Sequence, residues 1–320
     1  MALLTWSFSR DSILHSCERR YYFQYAVGAR SNSKDPVLKE IALLKQLQTI
    51  PMWQGDCFHV AVKSWAEGIR AGNSPNDTHM LEELPPQMTQ QWNESKAAVA
   101  VQMPRSKISC RLFEHEYGID LAADALESAI RVTQRWLSSF LLWASRVNLP
   151  AAIRRAKKCW VDPDVFGPNA PSFKVHGTGV VVKVDLGFLT QEGNFEIWDW
   201  KTGKAADPNP RRIDPDALQV NVYQLWPHIA MDIPLDRIRA HLMYVATDPP
   251  EHKIHEIDSD AREYALLIIR RSLDRMAHFS TRGGAHPLSI EDFDYAMHPG
   301  LCRYCPFKRI CLRSVGGEVK

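Results

Sequence analysis

The feature that most constrains the fold is the stretch from 180 to 201, "VVVKVDLGFLTQEGNFEIWDWK". Two runs rich in β-branched and aromatic residues flank the polar tripeptide Gln191-Glu192-Gly193. A three-residue hairpin loop needs a left-handed residue at its third position, and glycine stands there. Thr190 then opposes Asn194, Asp185 opposes Asp199, and Lys183 opposes Lys201. Side chains alternate across a strand, so Asp185, Asp199 and Lys201 share one face. The other face carries Val180, Val182, Val184, Leu186, Trp198 and Trp200, which together make a core surface. A loop one residue shorter would send the aspartates to opposite faces.

Opposed carboxylates repel each other across a ladder. One form of compensation is a plain ion pair, Asp199–Lys201 or Lys183–Asp185. Another is a divalent cation, whose hard character suits carboxylate oxygens. On geometry alone the two readings stand level.

The rest of the chain supplies the setting. With 320 residues, 45% of them hydrophobic, there is material for a packed core around this hairpin. A net charge of +2 gives no global basic excess, so any nucleic-acid surface is a local patch. No basic leader precedes a long apolar run, and no 18-residue apolar window occurs. The expectation is a cytoplasmic protein with no membrane segment. Before residue 150 the patterns are helical: 7–28, 37–48, 56–70, 91–103 and 120–147. The Pro-, Asn- and Asp-rich segment 72–90 reads as a loop. After 150 strands dominate, with an entry strand within 152–162, one long alternating run from 173 to 190, and candidates in "IRAHLMYVAT" and "KIHEID". Helices follow at 215–230, opened by Asp-Pro, and at 259–279. This order predicts an α/β or α+β core with helical insertions.

Asp185 in "VDLGF" followed by Asp199-x-Lys201 in "WDWKTGK" resembles the PD-(D/E)XK nuclease superfamily, in particular its RecB-like branch. The resemblance implies a restriction-endonuclease-like α/β core, a central mixed sheet flanked by helices. It implies that Asp185 and Asp199 bind Mg²⁺ or Mn²⁺, with the Trp200 backbone carbonyl as a third ligand and Lys201 beside the attacking water. Whether Lys201 takes a proton or only holds charge stays open. In "GDCFH" the resemblance makes His59 a further metal ligand, although a lone histidine among apolar residues is ordinarily structural. In "QVNVY", Gln219 and Tyr223 lie four apart on one helix face. By resemblance they stand near the DNA backbone and the active site. Arg211 and Arg212, after the lysine strand, are candidate phosphate contacts. Arg19, Arg20, Tyr21 and Tyr22 are weaker ones, the tyrosines reading better as packing.

Seven cysteines are unevenly spread. Cys302, Cys305 and Cys311 crowd the tail, and thiols this close in a reducing compartment point to metal. The residues leave the fourth ligand open. Cys17 is one candidate, and a zinc site using His298 without Cys17 is another. Cys57, Cys110 and Cys159 read as small buried residues. "CRYCPFKRIC" and "SFSRDSILHSCERRYYFQY" resemble the iron–sulfur members of the superfamily, the AddB-type subunits and the CRISPR-adaptation nucleases. The chain departs from them at Glu18, where proline is usual. The resemblance implies a [4Fe–4S] cluster on Cys17, Cys302, Cys305 and Cys311 that staples the chain ends.

The resulting expectation is a single nuclease domain over 1–320. It has a helical insertion at about 60–150, a core at about 151–280, and a cluster formed by Cys17 and the 298–313 tail. By resemblance it hydrolyses DNA phosphodiester bonds, as an exonuclease on single-stranded ends, in repair, recombination or CRISPR-linked anti-phage defence. Partners would be DNA and a helicase or CRISPR-adaptation protein. The alternative is a catalytically silent DNA-binding or scaffold subunit on the same fold, whose mark would be a lost metal ligand. None is lost.

Overall fold

A computed structural model describes residues 5–28, 31–73, 76–101, 109–165, 170–204, 214–282 and 288–313. Arg211 and Arg212 lie outside the described residues. In chain order the first elements are β1 (Thr5–Trp6), α1 (Phe8–Ser16), α2 (Glu18–Tyr21), α3 (Pro36–Leu44) and α4 (Ile50–Arg70). Next come α5 (Asp77–Val101), α6 (Phe113–Glu116), α7 (Ala125–Arg146) and α8 (Leu149–Arg155). Strands β2 (Lys158–Val161), β3 (Ser172–Val175), β4 (Thr178–Val181), β5 (Leu186–Leu189) and β6 (Phe195–Lys201) follow. The chain continues through α9 (Pro215–Met231), β7 (Ile238–Tyr244), β8 (Glu251–Glu256), α10 (Ser259–Arg282) and α11 (Lys308–Arg313). None of the described helices is long and apolar enough to cross a membrane. Two compact units form: residues 1–8, 55–84 and 131–276, and residues 9–54, 85–130 and 277–320.

The first unit holds a five-stranded sheet in the order β2-β5-β6-β7-β8. All its pairs are antiparallel except β6–β7, so the sheet is mixed, as expected. The β5–β6 register is the one the loop glycine implies: Leu186 faces Trp198 and Leu189 faces Phe195. Gly193 sits at φ +87°, and the Thr190 N–H donates to the Asn194 carbonyl at 2.8 Å. Val180, Val182, Val184, Leu186, Trp198 and Trp200 are all buried. Trp200 meets Phe140 of α7 edge-on at 5.0 Å, and Trp198 meets Trp143 at 5.4 Å. Parallel neighbours need a crossover, and α9 provides it between β6 and β7. It lies on the sheet face opposite to the tryptophans, with Trp226 against Phe195.

Three expectations need correction. The run 173–190 is not one strand. A left-handed pair, His176 (φ +47°) and Gly177 (φ +80°), folds β3 onto β4 in a separate three-stranded sheet, β1-β4-β3. The chain then crosses to the main sheet before β5. The segment 72–90 is largely helix, because α5 runs through Pro85 and Pro86. Buried Met88, Trp92, Ser95 and Ala98 recur at helical spacing and outweigh the prolines. The helix over 7–28 breaks at Cys17, whose extended backbone (φ −165°, ψ 114°) caps α2.

In the second unit Phe23, Ile41, Leu44, Leu47, Phe113, Phe307 and Ile310 form one core. The early and late parts of the chain meet there. Glu18 accepts from the Asp294 N–H at 2.9 Å, the Arg19 N–H donates to the Asp294 carbonyl at 3.2 Å, and Phe23 stacks on Phe307 at 5.1 Å. Protein contacts therefore join these segments.

Candidate active site

The antiparallel β5–β6 ladder ends at Leu186–Trp198, one step before the two aspartates. Asp185 leaves the ladder: its carbonyl accepts from the Asp162 N–H at 2.8 Å. Its side chain then spans two partners. Oδ2 accepts from the Trp200 N–H at 2.8 Å, and Oδ1 lies 3.0 Å from His59 Nδ1. His59 is brought there by α4, whose close approach to the end of β6 depends on Gly55. A Cβ on Gly55 would come within 3.0 Å of Thr202 Oγ1.

Asp199 and Lys201 occupy the carboxyl end of β6. Lys201 Nζ lies 2.8 Å from Asp199 Oδ2, 2.6 Å from Gln219 Oε1 and 3.5 Å from Asp216 Oδ1. The Asp199 contact is an ion pair whose angle falls short of a directed hydrogen bond. Gln219 Nε2 donates to the Tyr223 hydroxyl at 2.6 Å, so the Gln-x-x-x-Tyr face of α9 reaches the lysine as one relay. Asp214 caps α9 by accepting from the Asp216 and Ala217 N–H groups, which sets the helix start over the strand end. Lys183 does not face Lys201. It turns toward Asp162, 3.9 Å away, so of the two ion pairs considered only Asp199–Lys201 forms.

The electrostatics follow from burial and pairing. Burial pushes the Asp199 carboxyl up to about 6; Lys201 pulls against this and the charge of Asp185 adds to it. Burial also acts to raise Asp185, but His59, the Trp200 N–H and Lys201 together hold it below the usual carboxylate range. Burial disfavours a charged His59, yet Asp185, then Asp199 and Asp56, raise it to about 9. Burial likewise works against the Lys201 ammonium, and Asp199 and Asp216 outweigh it. Lys201 is thereby held above the usual lysine range.

A buried carboxylate, Asp199, and a half-buried one, Asp185, are thus each matched by a monovalent cation, a total compensation of the size one divalent ion would supply. Among the described residues no three His, Cys, Asp or Glu side chains converge as ligands of one ion. The physical reason is this pairing off: His59 and Asp185 hold each other, and Lys201 holds Asp199. The donor set, two carboxylates and an imidazole with Asp199 Oδ2 lacking a directed hydrogen bond, is nonetheless chemistry that suits a hard divalent cation.

Two residues of the site went unread in the sequence. Asp216 touches Lys201, and the Tyr244 hydroxyl donates to Asp216 Oδ2 at 2.9 Å. The signal for Asp216 was its place three residues before Gln219 on the same helix face. Tyr244 had no local signal, because only the parallel register sets it beside Lys201.

Cys17, Cys302, Cys305 and Cys311 all belong to the second unit, and among the described residues they too do not converge as ligands of one ion. All seven cysteines are free thiols. The Arg20 N–H approaches Cys17 Sγ at 3.4 Å, while Cys305 and Cys311 pack against the Phe23–Phe307 core. Burial raises the Cys305 thiol to about 11, and the nearby Cys17 and Cys311 add to the shift. Tyr21 is buried, Tyr22 packs on Phe293, and Arg19 donates to the Phe293 carbonyl, so these residues serve packing. Cys57 and Cys110 are buried as expected, whereas Cys159 is only half-buried.

No curated protein matches this chain. The crystal structure of SSO0001 is 14% identical, covering 70% of this chain and 84% of that one, with a TM-score of 0.30, too loose a superposition to carry a fold assignment. The model of the PD-(D/E)XK nuclease superfamily matches residues 5–312. Matched over nearly its whole length, and with a mixed sheet that gathers His59, Asp185, Asp199 and Lys201 at one end, the chain belongs to the PD-(D/E)XK nuclease superfamily.

Proposed function

We propose that this protein is a Mg²⁺- or Mn²⁺-dependent nuclease that hydrolyses DNA, acting as an exonuclease on single-stranded ends. The observation that carries the proposal is the paired arrangement His59–Asp185 and Lys201–Asp199 at the end of β6. His59, Asp185, Asp199 and the Trp200 carbonyl would hold the ion. Such an ion lowers the pKa of a bound water and neutralises a phosphoryl oxygen. Lys201, kept cationic, donates toward the attacking water or the phosphate and offsets charge in the transition state. Gln219 and Tyr223 fix the position of the lysine. The resemblance of the segments around Cys17 and around Cys302, Cys305 and Cys311 to iron–sulfur nucleases is what supports a [4Fe–4S] cluster on these four residues. The resemblance to iron–sulfur nucleases supports DNA-end processing in repair, recombination or CRISPR-linked defence, with a helicase or CRISPR-adaptation protein as partner.

The test is cleavage of labelled single-stranded DNA, blocked at the 5′ or the 3′ end, by anaerobically purified protein with Mn²⁺. Cleavage should occur from one free end. Lys201→Ala should lower the rate by a factor of about 10² or more. Equal inertness of both proteins on DNA and RNA would sink the enzyme reading and favour a silent binding subunit. Brown protein absorbing near 400 nm, bleached in Cys305→Ser, is expected from the cluster. Colourless protein carrying one zinc would replace it with a zinc site.

A further inference from the structure

Lys201 is ringed by acceptors of the protein itself. An ammonium has three N–H bonds, and three acceptors surround it: Gln219 Oε1 at 2.6 Å, Asp199 Oδ2 at 2.8 Å and Asp216 Oδ1 at 3.5 Å. Asp199 cannot serve a divalent cation fully while it also neutralises the lysine. The lysine must either follow Asp199 or be received by another carboxylate. Asp216 is the carboxylate placed to receive it. It stands in the first turn of α9, where the positive end of the helix favours a negative charge. Its second oxygen is tied by the Tyr244 hydroxyl at 2.9 Å, and Tyr244 is itself fully buried in β7. Asp216 is therefore held in place and within a small side-chain movement of Lys201 Nζ.

We propose that Asp216, anchored by Tyr244, is the positioning residue that takes over Lys201 when Asp199 turns to a divalent cation. This rests on the nuclease reading above. In the ion-free arrangement Lys201 guards Asp199. Once Lys201 shifts toward Asp216 and Gln219, the side of the ammonium that now faces Asp199 can point at water or phosphate. Asp216 thus lowers the cost of emptying Asp199 and keeps the freed lysine in register. Asp216 touches no substrate in this scheme and acts only through the lysine.

The experiment is Mn²⁺ binding by calorimetry, without nucleic acid, on the full-length protein. Asp216→Asn should bind Mn²⁺ about threefold to fivefold more weakly than the unaltered protein, the worth of one partly exposed ion pair. Tyr244→Phe, nearly isosteric, should shift the affinity in the same direction by less and covers the case in which Asp216→Asn folds poorly. Lys201→Ala should bind more tightly than the unaltered protein. In the Lys201→Ala background, Asp216→Asn should have no further effect, because the carboxylate acts only through the ammonium. With DNA, Asp216→Asn should lower kcat and leave KM unchanged. Unchanged Mn²⁺ affinity in Asp216→Asn overturns the inference and leaves the nuclease reading standing. So does an Asp216→Asn effect that persists without Lys201, which would make Asp216 a direct attractor of the ion. If the unaltered protein binds no Mn²⁺ at a site that depends on Asp199, the metal reading itself falls, and this inference with it.

Discussion

At the scale of single residues, the site is a set of buried charges balanced in pairs. His59 holds its proton up to about 9 in the fold, against 6.5 as an ordinary imidazole. Its contribution to stability is therefore fully present below pH 6.5 and is lost as pH rises through about 9. Asp185 is the strongest of the groups that raise it. The metal-free protein should lose urea resistance as pH rises from 6.5 to 9, and Asp185→Asn should flatten that slope while lowering the His59 pKa seen by NMR. An unchanged slope would mean that His59 and Asp185 do not pair in solution. Much of this residue set was legible beforehand. Strand alternation puts Asp199 and Lys201 on one face, whereas Asp185 reaches them from beyond the end of the ladder. His59 lies 126 positions before Asp185 and was reached only through family resemblance, since no local rule links them. Asp216 was overlooked because an aspartate near a helix start reads first as a cap or a dipole partner.

At the scale of elements, one glycine sets the register that brings the carboxylates together. Gly193, at φ +87°, closes the Thr190–Asn194 loop. An L-residue there is strained, and its Cβ would also lie 3.4 Å from Arg237 Nη1. Gly193→Ala should destabilise the protein by about 1–2 kcal/mol in urea titration. Gly193→Asn should cost less, because asparagine tolerates the left-handed region better. Equal stability of all three proteins would remove the glycine from the register argument. The hairpin was readable because turn chemistry and apolar alternation agree on one register. The β3–β4 hairpin was missed although Gly177 and the change of apolar parity, from Phe173 and Val175 to Val180 and Val182, both mark the turn. Helix α5 was misread for the opposite reason: Pro85 and Pro86 are strong local breakers, and tertiary burial of Met88, Trp92 and Ala98 overrides them.

At the scale of the whole molecule, the chain order of the elements is not the order in which they pack. The second unit collects the early segment 9–54, the middle segment 85–130 and the tail from 277 onward. Composition and spacing cannot show this, because it depends on contacts between positions hundreds of residues apart. Sequence reasoning reached the meeting of the ends only through the cysteines, whereas the structure also joins them by ordinary packing. Phe307 is fully buried, stacks on Phe23 at 5.1 Å, and is flanked by Arg309, which pairs with Glu40 and Glu116 at 2.8 Å each. The tail therefore has two separable anchors, an apolar one and the proposed cluster. Phe307→Ala removes a whole buried ring and should cost about 3–5 kcal/mol. It should also speed proteolytic removal of the tail, even in anaerobic protein that keeps its colour. Cys305→Ser should bleach the protein yet leave the tail docked, with the Phe23 environment unchanged in tail-protection measurements. If Cys305→Ser frees the tail as completely as Phe307→Ala does, the packing between Phe23, Phe307 and Arg309 is too weak to hold the ends, and metal ligation alone joins them.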